Sequence, residues 1–83
     1  MNISTKHLTL IVLLCEGHTL SAAAREMKTS QAHVSNMLAG LEKAMGRELC
    51  KRNGKLPVRP TEALMAMEKP ARKALAMIRE ITQ

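Results

Sequence analysis

The 83-residue sequence predicts a mainly α fold, with a three-helix core, a β-hairpin and a long C-terminal helix. Three observations predict it. Apolar residues recur at helical spacing in the segments before Gly46. Asn53-Gly54 marks a tight turn between two short runs. A 3-4 apolar repeat then runs through the last segment. At this length one globular unit is expected. It divides into residues 1–60 and a helical segment at 61–83.

Ser4 or Thr5 can cap a first helix from Lys6 to about Glu16. Its LTLIVLL run is apolar nearly all round, so much of it should be buried. Ile11 and Val12 leave a buried strand as the competing reading. Glu16-Gly17-His18 suits a helix closed by a glycine just past its end. A second helix follows from Thr19 to Met27, capped by Thr19 or Ser21. Ala22, Ala23 and Ala24 are strong helix formers, and Leu20 and Met27 can anchor the helix to a core. Lys28-Thr29-Ser30 is short enough for the angled joint of a helix–turn–helix.

The third helix opens at Thr29-Ser30-Gln31 and ends at Gly46. Val34, Leu38, Leu41 and Met45 fall on one apolar stripe. The other face carries Ala32, Ser35, Asn36, Ala39 and Lys43. These are small, polar or basic, and none is acidic. A solvated amphipathic helix would show the same pattern. A helix entering a major groove also needs such a face, because small residues permit close approach and amides and hydroxyls read base edges. Gln31 sits in the first turn, where helix–turn–helix proteins usually contact bases.

Asn53-Gly54 between Glu48–Arg52 and Lys55–Arg59 is a hairpin signal, since both turn positions tolerate positive φ. Pro57 confines its strand to a sheet edge. Leu49, Leu56 and Val58 can face the core. Lys43, Arg47, Lys51, Arg52, Lys55 and Arg59 stand here against the single acid Glu48, so most of the chain's net charge of +6 lies in this stretch. It is either a solvated loop or a wing gripping phosphates.

Thr61 can cap a last helix running to about Ile81. Leu64, Met67, Ala71, Ala74, Ile78 and Ile81 follow a heptad spacing that Leu75 widens. The seam suits a dimer contact better than packing on so small a domain. Pro70 should kink this helix or split it near Lys69.

The balance of 13 Lys and Arg against 7 acids suggests an anionic partner, nucleic acid or a membrane surface. Without Trp, Tyr or Phe, single-strand and RNA modes that stack bases on aromatic rings are disfavoured. No amphipathic helix combines a strongly basic face with bulky anchors, so a membrane-surface role is weak. Cys15 and Cys50 form no CxxC pair and read as free thiols in a reducing cytosol. Cys15 and His18 could start a metal site, but too few partners remain, and no metal or cofactor is expected. An enzyme is not expected either, because there is no Asp, no clustered His with a carboxylate and no glycine-rich phosphate loop.

Taken together, the motifs resemble the N-terminal winged helix–turn–helix domain of LysR-type transcriptional regulators, from about His7 to Ile81. They are the small-hydroxyl, alanine-rich opening Thr19-Leu20-Ser21-Ala22-Ala23-Ala24, the pair Ser30-Gln31 with Ser35, and Leu41-Glu42 with Gly46. Leu49-Cys50-Lys51-Arg52 and Pro60-Thr61-Glu62-Ala63-Leu64 complete the set. Ile11 and Cys50 stand where the family often has Phe. Asn36 stands where Arg is common, and Ala32 where a proline is. Pro60 and Leu64 replace the usual Leu and Gly, so a different entry to the last helix is expected. No effector-binding domain is expected, and ligand control is not carried over.

The resemblance implies that Gln31, Ala32, Ser35 and Asn36 face base edges, while Ser30, Arg52 and Lys55 hold phosphates. Lys43 and Arg59, in the same basic stretch, are expected to bind phosphates as well. The last helix, through Leu64, Met67, Ala71, Ala74, Leu75, Ile78 and Ile81, would pair with its twin. The expected function is a dimeric, sequence-specific regulator of double-stranded DNA in the bacterial cytoplasm, with no small-molecule effector site evident. The alternative is a winged-helix interaction module that has lost DNA reading.

Overall fold

The computed structural model describes residues 3–53 and 56–82, without the side chains of 53 and 56–58. In order come α1 (Thr5–Cys15), α2 (Leu20–Glu26), α3 (Gln31–Met45), β1 (Cys50–Asn53), β2 (Leu56–Pro60) and α4 (Glu62–Thr82). This is the expected mainly α architecture, with a two-stranded hairpin between α3 and α4.

Local signals fix the helix ends. The Ser4 N–H donates to His7 Nδ1 at 3.1 Å, holding the start of α1. The apolar run that could have been a strand is helical. At its end Gly17 takes φ +96°, the Gly17 N–H donates to Leu14 O and the His18 N–H to Leu13 O, so the last carbonyls are satisfied. Thr19 rather than Ser21 caps α2, accepting from Ala22 N at 3.1 Å. The same reversal closes α2 with Lys28 at φ +55°, a left-handed position that glycine would occupy with less strain. Ser30 caps α3 by accepting from His33 N at 3.1 Å, and Gly46 ends it at φ +65°.

The core gathers Leu10, Ile11 and Leu14 from α1, Leu20, Ala23 and Ala24 from α2, and Val34, Met37, Leu38 and Leu41 from α3. Among the described residues, Leu49, Cys50, Leu64 and Ala71 also belong to it. Met37 is buried and Met45 is not: Met45 is 37% exposed, at the rim of the stripe on which the spacing had placed it. Ile11 and Cys50 fill the positions where the family often has Phe, both fully buried. Burial pushes the Cys50 thiol up to about 11, with the nearby Glu42 carboxylate adding to the shift. Cys15, also raised chiefly by burial, donates its thiol to Leu64 O at 3.6 Å.

The hairpin is antiparallel, with Cys50 opposite Pro60 and Lys51 opposite Arg59. The register then slips, bringing Arg52 opposite Pro57 and skipping Val58, as in a β-bulge. Gly54 of the expected turn and Lys55 after it lie outside the described residues, as do the side chains of Leu56 and Val58.

α4 runs unbroken through Pro70, so the expected split near Lys69 does not occur. Pro70 is exposed, and the buried Leu64 and Ala71 on either side of it hold the helix to the core. The first half of the apolar seam is therefore spent inside the chain. Leu64 is 0% and Ala71 3% exposed, which leaves neither any surface for a second copy. Met67 packs against the same core. Arg72 ties α4 to α1 through Glu16 at 2.9 Å and also meets Glu68 at 2.9 Å. At this exposure such pairs contribute about 0–1 kcal/mol.

Candidate nucleic-acid interface

The exposed face of α3 begins at its first residue. Gln31, Ala32, Ser35 and Asn36 are all exposed, while Val34, Met37, Leu38 and Leu41 hold the other side in the core. This surface offers amide and hydroxyl groups on a rigid helix backed by apolar packing. Its opening turn meets α2 directly, where the Ser21 hydroxyl donates to Gln31 Oε1 at 2.7 Å. A cleft of about 430 Å³ gathers Thr19, Ser21, Gln31 and Arg59 on its walls. The starts of α2 and α3 and the end of the hairpin therefore converge on one side of the molecule.

The cations divide by strand geometry. Lys51 and Arg59 are cross-strand partners, so their side chains share a face of the ribbon, and both are exposed. Like charges directly opposite each other weaken a hairpin, and an anion between them relieves that cost. In the sequence Lys51 is one of six basic residues in this stretch, with nothing to set it apart. Pairing register, the signal that would have found it, depends on a bulge no short pattern announces.

Arg52 points away from that pair. Its guanidinium meets the Glu42 carboxylate at 2.9 and 3.3 Å, and the same carboxylate accepts the Leu49 N–H at 2.8 Å. Arg52 thus braces the hairpin against α3, and two of its donors are not free for a phosphate. Ser30 is occupied as the α3 cap, although its hydroxyl proton remains to be donated. Lys43 is exposed but lies twelve residues along the helix from Gln31, about 18 Å, so it can meet only a separate phosphate. Lys55 lies outside the described residues.

Burial pushes the Glu42 carboxyl up, but the hydrogen bonds from Arg52 and from the Leu49 backbone outweigh it, and the net shift is downward. A depressed carboxyl stabilises the fold above its ordinary value of 4.5, and that contribution is lost as pH falls through the lower folded value. Glu42→Ala leaves the Leu49 N–H and Arg52 without their acceptor. It is expected to cost about 1–3 kcal/mol in urea unfolding at pH 7. The gap to the parent should narrow in acid below 4.5. An equal gap at pH 7 and pH 3 would contradict the brace.

Among the described residues no three metal-ligating side chains cluster. No described helix is long and apolar enough to cross a membrane.

Residues 5–63 match the family model for bacterial regulatory helix-turn-helix proteins of the lysR family. No curated protein matches the sequence. Among solved structures, the chain is similar to BenM_DBD in a complex with catB site 1 DNA, at 25% identity and a TM-score of 0.81. That likeness covers 96% of this chain and 85% of the other. CbnR_DBD in a DNA complex shares the fold at 22% identity and a TM-score of 0.82, covering 96% and 91%. Full-length OxyR of Pseudomonas aeruginosa, in a variant form, matches at 26% identity and a TM-score of 0.84. There the likeness covers 98% of this chain but 27% of the longer one. The chain belongs to the lysR family of bacterial regulatory helix–turn–helix proteins and is a DNA-binding transcriptional regulator domain of that family.

Proposed function

We propose that the chain reads duplex DNA sequence-specifically as a homodimer, with the first two turns of α3 in the major groove and the hairpin on the phosphates. The observation that carries this is the exposed, acid-free face of Gln31, Ala32, Ser35 and Asn36 beside the paired cations Lys51 and Arg59. Groups of that chemistry read base edges, and cations at the rim hold the backbone. Ser30, Lys43 and Lys55 add phosphate contacts, whereas Arg52 acts mainly as a brace. The proposed pairing surface is the second half of α4, from Ala74 and Leu75 through Ile78 and Ile81, with Met67 at its edge. Its support is the exposed apolar tip, Ile81 at 82% and Met77 at 57%. Two recognition helices would then face a twofold-related site, in the bacterial cytoplasm where the DNA lies. The relatives lend no support to a module that has lost DNA reading.

Selection from a random duplex library tests this. An enriched inverted repeat is expected. Gln31→Ala should lower affinity for it by about 1–3 kcal/mol while leaving bulk DNA binding unchanged. Equal losses on both would remove Gln31 from base reading, and enrichment of no sequence would overturn the function.

A further inference from the structure

Ser21 is free to act on another residue. Thr19 already caps α2, so the Ser21 hydroxyl is not needed there. It instead donates across the helix–turn–helix to Gln31 Oε1 at 2.7 Å, linking residues ten apart in sequence. A glutamine amide has one carbonyl acceptor and an NH₂ with two donors. Pinning the carbonyl toward α2 turns the NH₂ outward as the group available to a ligand. Ser21 and Gln31 are both exposed and both line the cleft at the start of α3, so neither is held elsewhere by the core.

The consequence for recognition follows from base chemistry. Bidentate reading of adenine needs the amide to donate to N7 and accept from the N6 amino group at once. An amide whose oxygen is turned away presents donors alone. Donors alone suit an edge of acceptors only, and guanine supplies two on that edge, O6 and N7. Resting on the base-reading role proposed above for Gln31, we infer that Ser21 is a positioning residue that sets Gln31 to prefer guanine over adenine.

The test compares sites selected by the full chain with those selected by Ser21→Ala, Ser21→Thr and Gln31→Ala. Gln31→Ala identifies the base pair that Gln31 reads, as the position whose discrimination disappears. At that position the parent should favour guanine over adenine by at least about fivefold, the lower end for one good contact. Ser21→Ala, which frees the carbonyl, should erase or reverse that ratio, and Ser21→Thr, which keeps the hydroxyl, should retain it. A merely structural serine would weaken all sequences alike and leave the ratio unmoved, which overturns the inference. So does a parent preference for adenine at that position. If Gln31→Ala loses discrimination nowhere, the base-reading role itself fails and the inference with it.

Discussion

Ile78→Glu is expected to convert the proposed dimer to a monomer in sedimentation velocity, and Ile81→Glu should do the same. Neither side chain belongs to the apolar core or packs against it. A carboxylate there should leave the folded chain intact, with an unchanged helical circular dichroism signal. In the proposed dimer the same carboxylate would have to leave water on both sides of the twofold without a partner, a cost no seam of alanine, leucine and isoleucine can offset. The loss on DNA should be larger than any single base contact. Two recognition helices joined in one particle bind a repeat with the second event intramolecular, which raises affinity by about 10²–10⁴ over one half-site. That factor should vanish for the inverted repeat, while binding to an isolated half-site stays the same. A variant that remains dimeric would place the contact elsewhere on the surface.

Leu64→Ala is expected to cost about 2–5 kcal/mol of folding free energy, the range for a leucine truncated in a closed core. Leu64 has no exposed surface, and its carbonyl receives the Cys15 thiol. A domain of this size has about 4–12 kcal/mol in total, so the variant should unfold at a much lower urea concentration. With no Trp, Tyr or Phe in the chain, far-ultraviolet circular dichroism is the appropriate probe. A cost below 1 kcal/mol would mean that α4 leaves the core in solution. The family often has glycine at this position. Here the leucine gives α4 an anchor within its first turn, while Thr61 fixes the entry, its hydroxyl donating to Glu48 O at 2.8 Å and its N–H to Leu49 O at 3.0 Å.

The two substitutions lie on one heptad repeat, and their different expected outcomes show where the sequence stops being legible. Helix ends could be read because caps are local: Ser30 and Gly46 bound α3 through hydrogen bonds to residues within one turn. Which partner an apolar stripe meets is not local. Leu64 and Ile78 obey the same spacing, yet the first is closed off by α1 within the chain and the second is not. Met37 and Met45 show the same limit on α3, since the packing neighbour decides which flank of a stripe is covered. The outer face of α3 was legible as the complement of a stripe, and Gln31, Ala32, Ser35 and Asn36, proposed above to read bases, are exposed there. The roles of the hairpin cations were not legible. A bulge between Lys51 and Arg52 determines which side chain turns to Glu42 and which stays beside Arg59.

Placing both the core anchor and the proposed seam on α4 has a consequence at the level of gene expression. Below the pairing constant, the amount of dimer rises with the square of the chain concentration. A twofold change in synthesis would then alter the operator-competent species about fourfold. Dilution by growth without matching synthesis would be felt in the same proportion. A regulator built this way responds to its own abundance before any other signal reaches it, and a modest change in its promoter would be enough to move its targets.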